Sequence, residues 1–124
     1  MPYRNKKDSQ KAIALSGKCC VICGWNKCDY KGKSLLIGAH VRAFRNVSDY
    51  DKYDNIISLC PNHHIEFDVG NITIDPFTQK CFNIDSKDFY HRQKIVGKIS
   101  HIQIGYFDYH QKNVFKGSID VAFH

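Results

Sequence analysis

The sequence predicts an α+β domain built from short elements, and three features point to it. Strand-like runs of β-branched and apolar residues recur at 34–41, 55–59, Ile72–Asp75 and 81–84, bounded by turn formers. Helix start and stop signals frame 10–15 and Pro61–Val69, and an amphipathic run covers 106–115. Cysteine and histidine fall in two short pairs, Cys20-x-x-Cys23 and Cys60-x-x-His63, a spacing that lets two ligands of each pair reach one tetrahedral ion.

A chain of 124 residues is expected to form one domain, here residues 9–124, with a basic arm at 1–8. A domain of this size buries a modest core, so bound zinc would be welcome bracing. Lysine and arginine number 18 against 12 acidic residues, a formal charge of +6 that favours polyanionic partners without bearing on activity. Six cysteines would suggest a disulfide scaffold in a secreted chain, but the first eight residues contain no apolar signal core. No apolar run approaches the length of a membrane span. The expectation is a reduced, cytoplasmic protein whose cysteines are ligands or buried thiols.

In chain order, Ser9 offers an N-cap to a short helix over 10–15 that Gly17 stops. Cys19, Cys20, Cys23 and Cys28 then leave open which thiols bind; Gly24, suited to a tight knuckle, favours Cys20 with Cys23. On the strand at 34–41, Ile37, Ala39 and Val41 share one face, while His40 and Arg42 share the other. Residues 45–54 are rich in charges and turn formers and read as a loop with solvated carboxylates. Asn55 opens the return strand that delivers the chain to Cys60.

Pro61 suits the first position of a helix and Gly70 its end. On that helix His63 and His64 project about 100° apart and so serve different sites. His64 and Asp68 are four apart and share a side. Beyond Gly70 the strands flanking Pro76-Phe77-Thr78-Gln79 predict a hairpin, with Cys81 as a buried thiol. No element is assigned to 86–103. Phe107, His110, Val114 and Phe115 are spaced like a helix packing on the domain.

His40 in Ala-His-Val, Asn55, and Leu-Cys-Pro-Asn-His-His-Ile-Glu-Phe-Asp at 59–68 together resemble the HNH endonuclease family, with its ββα-metal fold. The branch with Ala-His-Val/Ile and Cys-Pro-Asn-His-His-x-x-Phe-Asp motifs is the nearest in pattern, and the likeness runs over most of the chain after Ser9. The resemblance implies a hairpin carrying His40 as general base and a following helix carrying His64 as a ligand of a catalytic Mg2+ or Mn2+. It implies that Asn55 holds the loop and orients the His40 ring through its amide. Cys20, Cys23, Cys60 and His63 would hold a structural zinc.

Many relatives carry a metal ligand directly before the first histidine, where this chain has Ala39. Asp68 is the candidate replacement, with a surface carboxylate as the plain alternative. Arg42 and Arg45 are candidates for phosphate contact, or else solvated surface. The implied function is metal-dependent hydrolysis of DNA phosphodiesters, in a restriction-type enzyme. Double-stranded DNA is the expected partner, with a homodimer needed to cut both strands of a two-fold site. The rival is a zinc-stapled DNA-binding module without catalysis, for which Ala39 is the best support. A redox protein using Cys20 and Cys23 is a third reading, distinguished by the absence of zinc.

Overall fold

The computed structural model describes residues 6–43, 45 and 47–119. Of the expected basic arm, 1–5 lie outside the described residues, and Lys6, Lys7 and Asp8 already belong to helix α1 (Lys6–Leu15). The helix therefore starts before Ser9, whose side chain is not an N-cap but packs against the rest of the domain, as does that of Asp8. The Asp8 carboxylate accepts the backbone N–H of Tyr53 at 2.8 Å, and Ser9 packs over Gly38, where any side chain would collide with its hydroxyl. Gly17, at φ 96°, turns the chain away from the helix.

Strand β1 (Ile37–His40) pairs antiparallel with β2 (Ile56–Leu59), Ile37 opposite Leu59 and His40 opposite Ile56. β1 is shorter than the sequence pattern suggests. Ser34 instead bridges back to Cys28, and the Leu35 N–H bonds to the Lys27 carbonyl, so the preceding chain folds onto the knuckle. Helix α1 covers one face of this hairpin; the other bears on the core, with Ala39 1% and Ile57 0% exposed.

Leu59 leads through Cys60 into α2 (Pro61–Val69), whose limits match the Pro and Gly signals. The Cys60 sulfur caps the helix by accepting the His63 N–H. Gly70 ends it at φ 86°, and the Val114 carbonyl lies where a Cβ would be. Left-handed backbone and that close approach both require glycine there. β1, β2 and α2 thus form a ββα unit.

A second antiparallel pair, β3 (Ile72–Asp75) and β4 (Lys80–Asn83), follows as expected. The Asp75 carboxylate shapes its turn by accepting from the Phe77 N–H at 3.0 Å and the Thr78 hydroxyl at 2.8 Å. Cys81 is buried, and burial pushes its thiol up to about 12, so it is inert. Irregular chain then runs beside β4, where the N–H of Cys81 bonds to the Gln93 carbonyl and the N–H of Arg92 to the Cys81 carbonyl. It contributes Ile95, Ile99 and Ile102 to the core.

Helix α3 (Ile104–Asn113) begins two residues before the sequence pattern does, since Gln103 is anchored to Asp54 through both backbone and side chain. Phe107 and His110 are buried. His110 stacks on Phe67 with ring centroids 3.8 Å apart, its Nε2–H donates to the Phe67 carbonyl at 3.0 Å, and its Nδ1 accepts from the Thr73 hydroxyl at 2.8 Å. This ring ties α3 to α2 and β3. No described helix is long and apolar enough to cross a membrane.

Burial lowers the His110 imidazole from 6.5 to about 4. Below pH 6.5 the unfolded chain takes up a proton that the folded chain refuses until about pH 4, so stability falls as pH falls through that window. Urea unfolding measured from pH 7 down to 4 should show a loss of up to about 3 kcal/mol from this group. Replacing it, His110→Gln, should flatten the profile, leaving the smaller slope from His101, which burial shifts the same way.

Candidate active site and metal cluster

The two faces of α2 carry different chemistry. Toward the knuckle, the ligating atoms of Cys20, Cys23, Cys60 and His63 all lie within 4.8 Å of one another. The His63 Nδ1 stands 3.6 Å from the Cys20 sulfur and 3.3 Å from the Cys60 sulfur, and the Cys23 and Cys60 sulfurs are 3.9 Å apart. A tetrahedral ion with bonds of about 2.3 Å to sulfur and 2.0 Å to nitrogen requires separations of about 3.5–3.8 Å between its ligands. The four groups fit a metal such as zinc. Cys19 and Cys28 stand outside the cluster, which settles the ambiguity among the four N-terminal thiols.

Burial pushes the thiols of Cys20, Cys23 and Cys60 up and His63 down. The neutral imidazole is already the ligating form. The thiols must lose protons, and a cation among them offsets the cost of burying thiolates. Tyr90 meets the His63 ring edge-on at 5.3 Å.

On the other side of α2, a cleft of about 300 Å³ is lined by His40, His64, Asp68, Phe67 and His110, among others. His64 Nε2 lies 3.0 Å from Asp68 Oδ2. The two atoms are an i,i+4 pair close enough to be neighbouring ligands of one divalent cation. Ala39, 1% exposed, is sealed into the core and offers nothing to the cleft.

The Asn55 side chain turns to backbone groups rather than to the His40 ring. The buried Asn55 amide donates to the carbonyls of Arg42 (2.9 Å) and Tyr50 (2.7 Å), and its oxygen accepts the Arg42 N–H at 2.8 Å. These three bonds leave no amide donor for the ring, so the expectation that Asn55 orients His40 directly is corrected. Asn55 instead staples the chain just after His40 to the turn before Asp51. It holds the loop, as expected, through backbone groups.

The ring is met by Asp51, whose Oδ1 lies 2.8 Å from His40 Nε2. Asp51 is 4% exposed, so the loop carboxylates are not all solvated. Its sequence signal is poor, one acid among several in a loop without periodicity. Arg42 is held between the rings of Tyr50 (4.5 Å) and Tyr109 (4.1 Å). Arg45 is exposed, in left-handed backbone at φ 46°.

Residues 20–75 match the sequence model of the HNH endonuclease family. Over this segment the chain is similar to HNH endonucleases. The matched segment contains all four residues of the metal cluster together with His40, Asp51, Asn55, His64 and Asp68. The fold is similar to that of a modification-dependent TagI restriction endonuclease, with a TM-score of 0.68 and 24% identity. That alignment covers 95% of this chain and 42% of the other, so this chain spans less than half the length of that protein. No curated protein matches the sequence.

Purified protein should carry one tightly bound zinc per chain by elemental analysis, and Cys60→Ala should lose it. Stripping the metal with a strong chelator should lower the melting temperature by more than about 10 °C.

Proposed function

We propose that this chain is a metal-dependent DNA endonuclease of restriction type, hydrolysing phosphodiester bonds. The observation that carries the reading is the shared cleft of His40, His64 and Asp68 on an HNH scaffold. In this reading His40 takes the proton from the attacking water, work suited to an imidazole near neutral pH. Attack on phosphorus opposite the leaving oxygen then breaks one P–O bond.

His64 and Asp68 hold the divalent ion against the scissile phosphate. Bound there, Mg2+ or Mn2+ supplies Lewis-acid chemistry and neutralises charge on the leaving oxygen. Cys20, Cys23, Cys60 and His63 hold a structural zinc that fixes α2 against the knuckle and so spaces His64 from His40. Arg42, steadied by its two tyrosines, and Arg45 contact backbone phosphate. Double-stranded DNA is the partner, and a homodimer cuts both strands.

A second reading, a zinc-stapled DNA-binding module, is favoured by the sealed Ala39. Zinc-loaded protein incubated with plasmid and Mg2+ or Mn2+ separates the two. The native chain should nick or linearise plasmid. His40→Ala should slow cleavage by about 100-fold or more, and Asp68→Ala should raise the divalent-ion concentration needed. Plasmid left intact under every divalent ion, with DNA still bound in gel shifts, would establish the binding module instead. Running methylated and unmethylated plasmid side by side covers the modification dependence named for the structural neighbour.

A further inference from the structure

We infer that Asp51 is the positioning residue for His40, holding its imidazole by Nε2 so that Nδ1 is the basic nitrogen. The inference rests on the nuclease reading for its kinetic consequence, but the ring geometry can be tested without it.

The argument begins with burial. A carboxylate removed from water needs a partner, and Asp51, with a side chain 5% exposed, has the His40 ring at 2.8 Å. The His40 side chain is 13% exposed and reaches the cleft; Asp51 is not among the cleft-lining residues, whereas His40, His64 and Asp68 are. Asp51 therefore stands behind the ring and acts through it. Its position makes it a poor candidate for the donor missing at Ala39.

The bond also selects a tautomer. A carboxylate oxygen accepts, so the hydrogen lies on Nε2, and a neutral imidazole protonated there carries its lone pair on Nδ1. When that lone pair takes the proton of water, the ring becomes cationic and the carboxylate beside Nε2 stabilises the charge. No proton needs to pass to Asp51.

The sequence supplies this placement through local turns. The Asp51 N–H closes a 3₁₀ turn on the Ser48 carbonyl at 3.1 Å, and the Tyr50 carbonyl is held by the Asn55 amide at 2.7 Å. The same amide grips both sides of the Arg42 peptide group, two residues after His40. Asn55 thus fixes the separation of the two residues, and Asp51 sets the ring.

The test uses the zinc-loaded full chain and the variants Asp51→Asn, His40→Ala and the double variant. Ring 15N shifts should show His40 protonated on Nε2 in the native protein and a tautomer mixture in Asp51→Asn. With zinc content and melting temperature retained, Asp51→Asn should lower kcat by about 100-fold or more, with KM for DNA within about threefold. Added to His40→Ala, it should cause no further loss.

An Nδ1–H tautomer in the native protein would overturn the inference. So would kcat of Asp51→Asn within about threefold of native, or a further drop in the double variant. Should Asp51→Asn not fold, the native tautomer alone decides. Should the native protein leave DNA intact, the nuclease reading fails while the tautomer still decides the positioning.

Discussion

Helix α2 must face two ways, and its entry residue sets both faces. Cys60 caps the helix through sulfur while standing among the metal-cluster ligands. Because His63 and His64 are neighbours on one short helix, fixing His63 to the cluster fixes where His64 can point. Two two-stranded sheets provide little sheet hydrogen bonding to hold that orientation. A metal shared by the knuckle, the end of β2 and the start of α2 would supply the missing rigidity, and the four ligating atoms already lie within 4.8 Å of one another.

The opposite side of the helix is held by conventional packing. Phe67 and His110 stack in the core directly beneath the cleft, with the imidazole satisfied at both nitrogens. The helical spacing of His110 with Phe107 marked it as a packing position, and burial keeps it neutral while its bonds go to Thr73 and a backbone carbonyl. Its role is to join the second hairpin and α3 to the ββα unit. Helix α2 therefore has the metal cluster on one flank and, on the other, a cleft with a packed aromatic floor.

Comparing pattern with structure shows which signals carried. Pro61 and Gly70 place α2 to the residue because each acts through its own backbone: proline lacks the N–H that a first turn leaves unpaired, and glycine accepts left-handed φ. The strand at 34–41 shortened because the chain before Ile37 found partners in the knuckle loop, which no local pattern encodes. The start of α1 moved for a similar reason, as Ser9 lies within the helix and packs over Gly38, while Asp8 accepts from Tyr53. Ile95, Ile99 and Ile102 enter the core from irregular chain, where neither period of two nor of 3.6 marks them.

The sequence by itself determined the α+β class, the ββα order, the two short ligand pairs Cys20-x-x-Cys23 and Cys60-x-x-His63 and the division of His63 from His64. Each of these follows from spacing along a few residues, where backbone geometry leaves little choice. That the two pairs meet at one point, 37 residues apart in the chain, was implied by the family resemblance and is a matter of tertiary structure. Tertiary structure decided which carboxylate meets His40 and what Asn55 holds. Those depend on a loop folding back between two strands, so Asp51 gained its role from where the chain returned and Asn55 spent its amide on peptide groups instead of a ring. Ala39 shows both levels at once: its lack of a donor is written in the sequence, and its burial in the core shows the side chain turned away from the cleft where a donor would be used.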